Sequence, residues 1–240
     1  MLIKEYNKQS KTAFSIECSK LLYKKKTSFQ EIKIYSSELY GNVMMLDDCF
    51  MITEFDNNQY HKKCIELCYK KDKELDVLII GGGDFGLVKK LFNKIDIKKL
   101  HVVEIDEKVI DASMKYFPNF FKLKKSFKEK IIITIEDGYG WLIKNKDHKF
   151  DIIIVDCTDP NILAKKLYST IFYRNIKRSL KKSGFMIQQS GSIILDQLQI
   201  IKPTISRLKK VGFTNITLNP FHMPIYPLGL WSFIKCKKKA

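Results

Sequence analysis

No apolar run in the sequence approaches the ~18 residues of a transmembrane helix. The opening stretch, MLIKEYNKQSK, lacks the apolar core of a signal peptide. Six cysteines are present, but none forms a Cys-x-x-Cys pair, and a 240-residue chain is not a small disulfide-stapled scaffold. The expectation is free thiols in a reducing compartment, hence a cytoplasmic protein. No internal repeat and no low-complexity segment occurs. There is no Gly-x-Ser-x-Gly elbow, and His101, His148 and His222 stand in no triad-like context. His61, Cys64 and Cys68 share a helical spacing but have no fourth ligand, so no metal site is expected. The net charge is +17, yet no arginine-rich patch or RNA-binding signature accompanies it. Its lysines lie in short scattered runs such as Lys24–Lys26 and Lys237–Lys239. Solvated surface explains them better than a specific nucleic-acid or membrane partner.

With 45% hydrophobic residues the chain can bury a large core, as one domain or as an α/β domain with a small appendage. Two regions differ in pattern. Thr12–Cys18, Ser28–Ser36, Gly41–Leu46 and Phe50–Glu54 read as short strands, with turn chemistry at Gly41-Asn42 and Asp47-Asp48. They define an N-terminal antiparallel β domain over residues 1–55. Residues 56–240 begin with helical spacing over Asn57–Tyr69 and then alternate strands with helices. Strands are expected at Val77–Ile80, Leu100–Ile105, Ile131–Ile135, Asp151–Val155 and Phe185–Gln189. Helices are expected at Gly86–Asn93, Glu107–Tyr116, Tyr139–Asn145, Ser169–Leu180 and Ile194–Lys210, the last interrupted by Pro203. Ile216–Leu218 and Leu230–Ile234 close the sheet. This alternation predicts a Rossmann-like, doubly wound, mostly parallel sheet that binds ligands at the carboxyl ends of its strands.

The chemistry-bearing residues fall at those ends. Gly81-Gly82-Gly83-Asp84 follows a buried strand and precedes a helix, where glycines permit a sharp turn and close approach to a nucleotide or nucleoside. Glu104 ends the next strand, placed to accept hydrogen bonds from ribose hydroxyls, while Asp106 is placed to cap a helix. Asp137-Gly138 follows the third strand, a place for adenine contacts or for an ordinary turn. Asp156 and Asp159 follow the fourth. Together with Asp84 they put three acids around one pocket, an arrangement that attracts a dication.

Gly81-Gly82-Gly83-Asp84, Val103-Glu104-Ile105-Asp106, Asp137-Gly138, Asp156-Cys157-Thr158-Asp159-Pro160, Gln189-Ser190-Gly191 and Tyr226-Pro227-x-Gly229 occur in the order seen in spermidine synthases. Phe29-Gln30, Tyr40-Gly41-Asn42-Val43, Leu46-Asp47 and Thr53-Glu54-x-Asp56-x-x-x-Tyr60-His61 also resemble that family, over about residues 28–235. The resemblance implies an aminopropyltransferase that moves the aminopropyl group of decarboxylated S-adenosylmethionine to a diamine such as putrescine, giving spermidine and methylthioadenosine. That donor is a co-substrate, and no further cofactor is implied. By motif, Gln30, Gly83, Asp84, Glu104, Asp137 and Gly138 bind the donor. Tyr60, His61, Asp84, Asp159, Gln189 and Tyr226 shape the amine site, and Asp156 is catalytic. A homodimer or homotetramer is implied by resemblance only. The alternative is a methyltransferase using S-adenosylmethionine itself, which would share the glycine loop, Glu104 and Asp137.

The chain departs from the family at several points. Phe85 replaces a small residue, and its ring is expected to narrow the donor site. Asn57 and Lys62 replace acids, and Asn161-Ile162-Leu163-Ala164-Lys165 replaces a Gly-Pro-containing segment ending in Glu. These changes are expected to remove negative charge near the amine.

Overall fold

The computed structural model describes residues 1–68, 74–160 and 163–239. Its N-terminal part holds two antiparallel sheets. β1 (Leu2–Asn7) pairs with β2 (Thr12–Glu17), and β3 (Lys20–Lys26), β4 (Glu31–Ser37), β5 (Gly41–Leu46) and β6 (Cys49–Thr53) form a four-stranded meander. β1 and β3 lie outside the strands expected from sequence. β3 reads KLLYKKK and is mostly exposed. Its order comes from the ladder to β4 rather than from burial, and lysines suit an edge strand.

The following elements are α1 (Asn57–Leu67), β7 (Leu75–Gly81), α2 (Gly86–Phe92), β8 (Ile97–Glu104), α3 (Glu107–Tyr116), α4 (Lys125–Lys128) and β9 (Ile131–Ile135). Then come α5 (Gly138–Lys144), β10 (Phe150–Asp156), α6 (Thr170–Ser179), β11 (Leu180–Gln189), α7 (Lys202–Val211), β12 (Phe213–His222) and β13 (Leu230–Lys238). The expected helical spacing to Tyr69 runs past Cys68 into residues outside those described, as do Asn161 and Ile162 of the departing loop. The expected interruption at Pro203 takes the form of a π-helical turn over Gln197–Ile201 that runs into α7, with Pro203 in the first turn of α7.

The seven-stranded sheet has the order β12-β13-β11-β10-β7-β8-β9, with β9, β8, β7, β10 and β11 parallel, β13 antiparallel to β11, and β12 antiparallel to β13. Side chains of β7 alternate between two cores. Val77 and Ile79 join Tyr60, Cys64 and Leu91 on one face, and Leu78 and Ile80 join Trp141, Phe172 and Leu208 on the other. A strand buried on both faces must be apolar at every position, which is why it reads as a continuous run. α3 sends Val109 and Ala112 into a third core with Ile32, Ile34, Met44 and Ile52, fastening the N-terminal sheet beside the β8 end. The phenylalanines around residue 120 are packing residues. Phe117 stacks on Phe120, and Phe92 on Phe127.

The chain winds from β7 outward to β9, then returns to place β10 on the other flank of β7. This reversal opens a crevice at the carboxyl ends of β7 and β10.

Candidate active site

Gly81 makes the two strand ends meet. It pairs with Asp156, has φ +84°, and a Cβ there would lie 2.0 Å from the Asp156 carbonyl oxygen. The Gly82 amide then donates to that same oxygen at 3.0 Å. The glycine loop thus sets where Asp156 stands. Gly86 does the same for His61, whose ring occupies the space a Cβ would need. His61 Nε2 consequently lies 3.6 Å from Asp84 Oδ1, an oxygen that also accepts from the Gly86 amide at 2.5 Å.

A cavity of about 320 Å³ occupies the crevice. It brings together every candidate from the sequence: Gln30, Gly83, Asp84, Glu104, Asp137 and Gly138 on one side, and Tyr60, His61, Asp156, Asp159, Gln189 and Tyr226 on the other. Among the described residues no lysine or arginine lines it, although the chain carries a net charge of +17. Seven carboxylates do, so the interior field is set up for a cation.

Asp156 is held at one oxygen by the Tyr60 hydroxyl, which donates at 2.5 Å. Burial and the neighbouring Asp84 charge push the Asp156 carboxyl up to about 6, against the opposing pull of the Tyr60 bond and His61. Burial and that carboxylate hold the Tyr60 phenol well above its ordinary range, so it stays a donor. Asp159 is pushed to about 6 by burial, partly offset by a bond from Gln189. Gln189 Nε2 donates to Asp159 Oδ1 at 3.1 Å and to the Cys157 carbonyl at 2.8 Å. Trp231 Nε1 donates to Gln189 Oε1 at 3.1 Å. An indole only donates, so it fixes the amide with its nitrogen toward Asp159.

Glu104 is buried at the end of β8, and burial pushes it up to about 7. Its Oε1 accepts from the Asp106 amide at 3.0 Å. Asp106 caps α3 through the Lys108 amide, and its other oxygen accepts from Gln30 Nε2 and Thr27 Oγ1. Gln30 therefore reaches the cavity from a bond that ties the N-terminal sheet to α3. Asp137 caps α5 through the Tyr139 and Gly140 amides. Tyr226 donates to the Met51 carbonyl at 2.8 Å, with its ring against Trp231.

Three departures fall differently from expectation. Phe85 does not narrow the cavity. Its αL backbone (φ 62°) turns the ring into the core, where it stacks on Phe121 with centroids 4.7 Å apart. Lys62 and Lys165 are exposed and line no part of the cavity. Asn57 does line it, and its Nδ2 is spent on the Thr53 and Glu54 carbonyls. Sequence reasoning missed Glu5 of β1, which reaches the cavity and accepts from the Phe50 amide at 2.7 Å. It also missed Trp231. The alternation of buried Ile3 with its exposed neighbours was the only local signal for β1.

A doubly wound sheet with a glycine loop, a buried acid ending β8 and a carboxylate-lined cavity fits the class of transferases that act on nucleoside-linked, positively charged donors. The spermine/spermidine synthase domain matches residues 57–240 and the spermidine synthase tetramerisation domain matches residues 1–54. The polyamine aminopropyltransferase of Methanocaldococcus jannaschii is 37% identical over 237 residues, covering 98% of this chain and 79% of that protein. That of Thioalkalivibrio sulfidiphilus is 35% identical over 222 residues, covering 92% and 78%. A spermidine synthase solved with the transition-state analogue AdoDATO superimposes with a TM-score of 0.90 at 27% identity, covering 99% of this chain and 80% of that one. Spermidine synthase from Thermotoga maritima gives 0.87 at 27% identity, covering 99% and 79%. The chain belongs to the spermine/spermidine synthase family and is a polyamine aminopropyltransferase. The methyltransferase alternative falls away.

Proposed function

We propose that the chain transfers the aminopropyl group of decarboxylated S-adenosylmethionine to putrescine, with Asp156 as the proton acceptor. What carries this reading is the convergence of Asp84, Asp156 and Asp159 on one cavity that no lysine or arginine lines among the described residues. Glu104 holds the ribose, Asp137 and Gly138 meet the adenine, and Gln30 and Gly83 line the donor side. Asp84 and Asp156 flank the reacting end of the donor and the amine, and His61 lies on the amine side. The acceptor amine arrives protonated, since an alkylamine resembles lysine with pKa ~10.4. Asp156, oriented by Tyr60, takes that proton. The amine lone pair then attacks the methylene beside the sulfonium. A C–N bond forms, the C–S bond breaks, and its electron pair returns to sulfur as the neutral thioether of methylthioadenosine. Asp159, held by Gln189, pairs with the distal ammonium, and Tyr226 walls the channel. In-line positioning supplies the rest of the rate. A cytoplasmic homo-oligomer assembled through the N-terminal sheets completes the reading, supported by the tetramerisation-domain match over residues 1–54.

The test is product analysis with decarboxylated donor and a panel of diamines. Spermidine and methylthioadenosine in equal amounts from putrescine are expected, with no transfer from the carboxylated donor. Methyl transfer from S-adenosylmethionine, or a clear preference for another diamine, would refute it.

The Tyr60 bond makes a separate prediction. Asp156 must be ionised to act, so kcat/KM should rise with pH and its acid limb should bend near pH 6. Tyr60→Phe removes a bond that favours the ionised form, so the limb moves to higher pH. A limb in the same place in both enzymes would contradict the coupling.

A further inference from the structure

β9 is the outer strand of the seven-stranded sheet, and it reads Ile-Ile-Ile-Thr-Ile. Edge strands usually carry a charge, a proline or a bulge that blocks further pairing. β9 has none of these, and its register with β8 runs unbroken. Ile132, Ile133 and Ile135 are 38%, 47% and 46% exposed. The ladder to β8 fixes which backbone groups are free. The Leu100 amide donates to the Lys130 carbonyl at 2.9 Å, and the Glu136 amide donates to the Glu104 carbonyl at 3.0 Å. Lys130 and Glu136 thus turn their backbone toward β8, and by alternation Ile132 and Thr134 do the same. The N–H and C=O groups of Ile131, Ile133 and Ile135 point the other way, where among the described residues no strand lies.

We infer that β9 pairs with β9 of a second copy of this chain, antiparallel, about a twofold axis through Ile133. This surface is separate from the tetramerisation-domain match, which covers residues 1–54. The register follows from the free groups. With the axis at Ile133, Ile131 of one copy faces Ile135 of the other and Ile133 faces its own counterpart, so every outward amide and carbonyl finds a partner. An axis at Ile132 leaves Ile135 unpaired, and an axis at Thr134 leaves Ile131 unpaired. The axis at Ile133 also sets Ile132 opposite Thr134, a β-branched pair. At each end of the ladder it sets Lys130 opposite Glu136 of the second copy. A strand bounded by a lysine at one end and a glutamate at the other is complementary to itself only when antiparallel. Lys130 already donates to the Ile97 carbonyl and Glu136 already pairs with the exposed Lys144. An ammonium has three protons and a carboxylate several lone pairs, so both keep capacity for a partner. Self-complementary charge singles out a second copy over an unrelated peptide. Symmetry agrees with it. In the homo-oligomer proposed above the N-terminal sheets form one twofold contact, and a closed D2 tetramer requires a second, different one. The pairing does not depend on the aminopropyl-transfer reading.

Sedimentation velocity on the full chain tests this, with circular dichroism as the control for folding. Ile133→Lys places like charges face to face on the axis, at a side chain that is exposed in the single copy. The expected result is a folded assembly of half the wild-type mass. A charge swap gives a readout that folding does not move. Lys130→Glu alone and Glu136→Lys alone should each raise the dissociation constant of the assembly at least tenfold, and the double variant should return it to within about threefold of wild type. Should Ile133→Lys fail to fold, the charge swap decides. A folded Ile133→Lys variant at wild-type mass overturns the pairing, as does a wild type that sediments as a single copy. Single charge variants that assemble like wild type, or a double variant no better than the singles, overturn it too. Wild type that assembles through β9 but transfers no aminopropyl group to putrescine overturns the proposed function and leaves the pairing standing.

Discussion

Asp156→Asn should lower kcat by about 10²–10⁴-fold, the range for losing a positioned general base. Asparagine is nearly isosteric, and its Oδ1 can still accept from Tyr60, which now donates to Asp156 at 2.5 Å. The backbone that Asp156 offers to Gly82 is untouched. Donor affinity should therefore remain within about twofold, measured by calorimetry with methylthioadenosine. Stability should hold or rise, because the variant removes a carboxyl whose ionisation burial and Asp84 oppose. A kcat within tenfold of wild type would remove Asp156 from the proton-accepting role.

Glu104→Gln should weaken donor binding by about 10–100-fold, since a hydrogen bond to a charged acceptor contributes ~1.5–3 kcal/mol. The same substitution should stabilise the unliganded protein, and the size of that gain should depend on pH. Glu104 titrates at about 7 when folded, above its ordinary value of 4.5. The folded state therefore holds the proton longer than the unfolded state does. Whatever stability this lends is fully present below the ordinary value and is lost as pH rises through about 7. Glutamine does not titrate, so its advantage in Tm should be larger at pH 8 than at pH 5. Unchanged affinity for methylthioadenosine would exclude a ribose role. A Tm difference independent of pH would show that the carboxyl is not strained by burial.

The two predictions draw on one property of the site. Acids that must be ionised to work are placed where burial opposes ionisation. A cationic substrate offsets that opposition, so the charge arrangement of the cavity and the charge of its ligands are matched. Nothing of this is visible in the overall charge of the chain, which has the opposite sign.

Sequence alone determined the strand–helix alternation, because a strand buried on two faces must be apolar throughout and a glycine loop must follow it. It also determined the acids at strand ends, since Glu104, Asp137, Asp156 and Asp159 each fall within a few residues of a strand whose direction is fixed by the fold. Tertiary structure alone decided which distant groups meet those acids. Glu5 reaches the cavity because β1 pairs with β2 and its carboxylate bonds an amide 45 residues away. Trp231 orients Gln189 across 42 residues, through the antiparallel pairing of β13 with β11. Phe85 faces the core rather than the donor because its backbone is left-handed, which residue type does not reveal. Local pattern reports burial and turn chemistry. Pairing between strands far apart in the chain sets the contacts, and with them the acidity of each carboxyl.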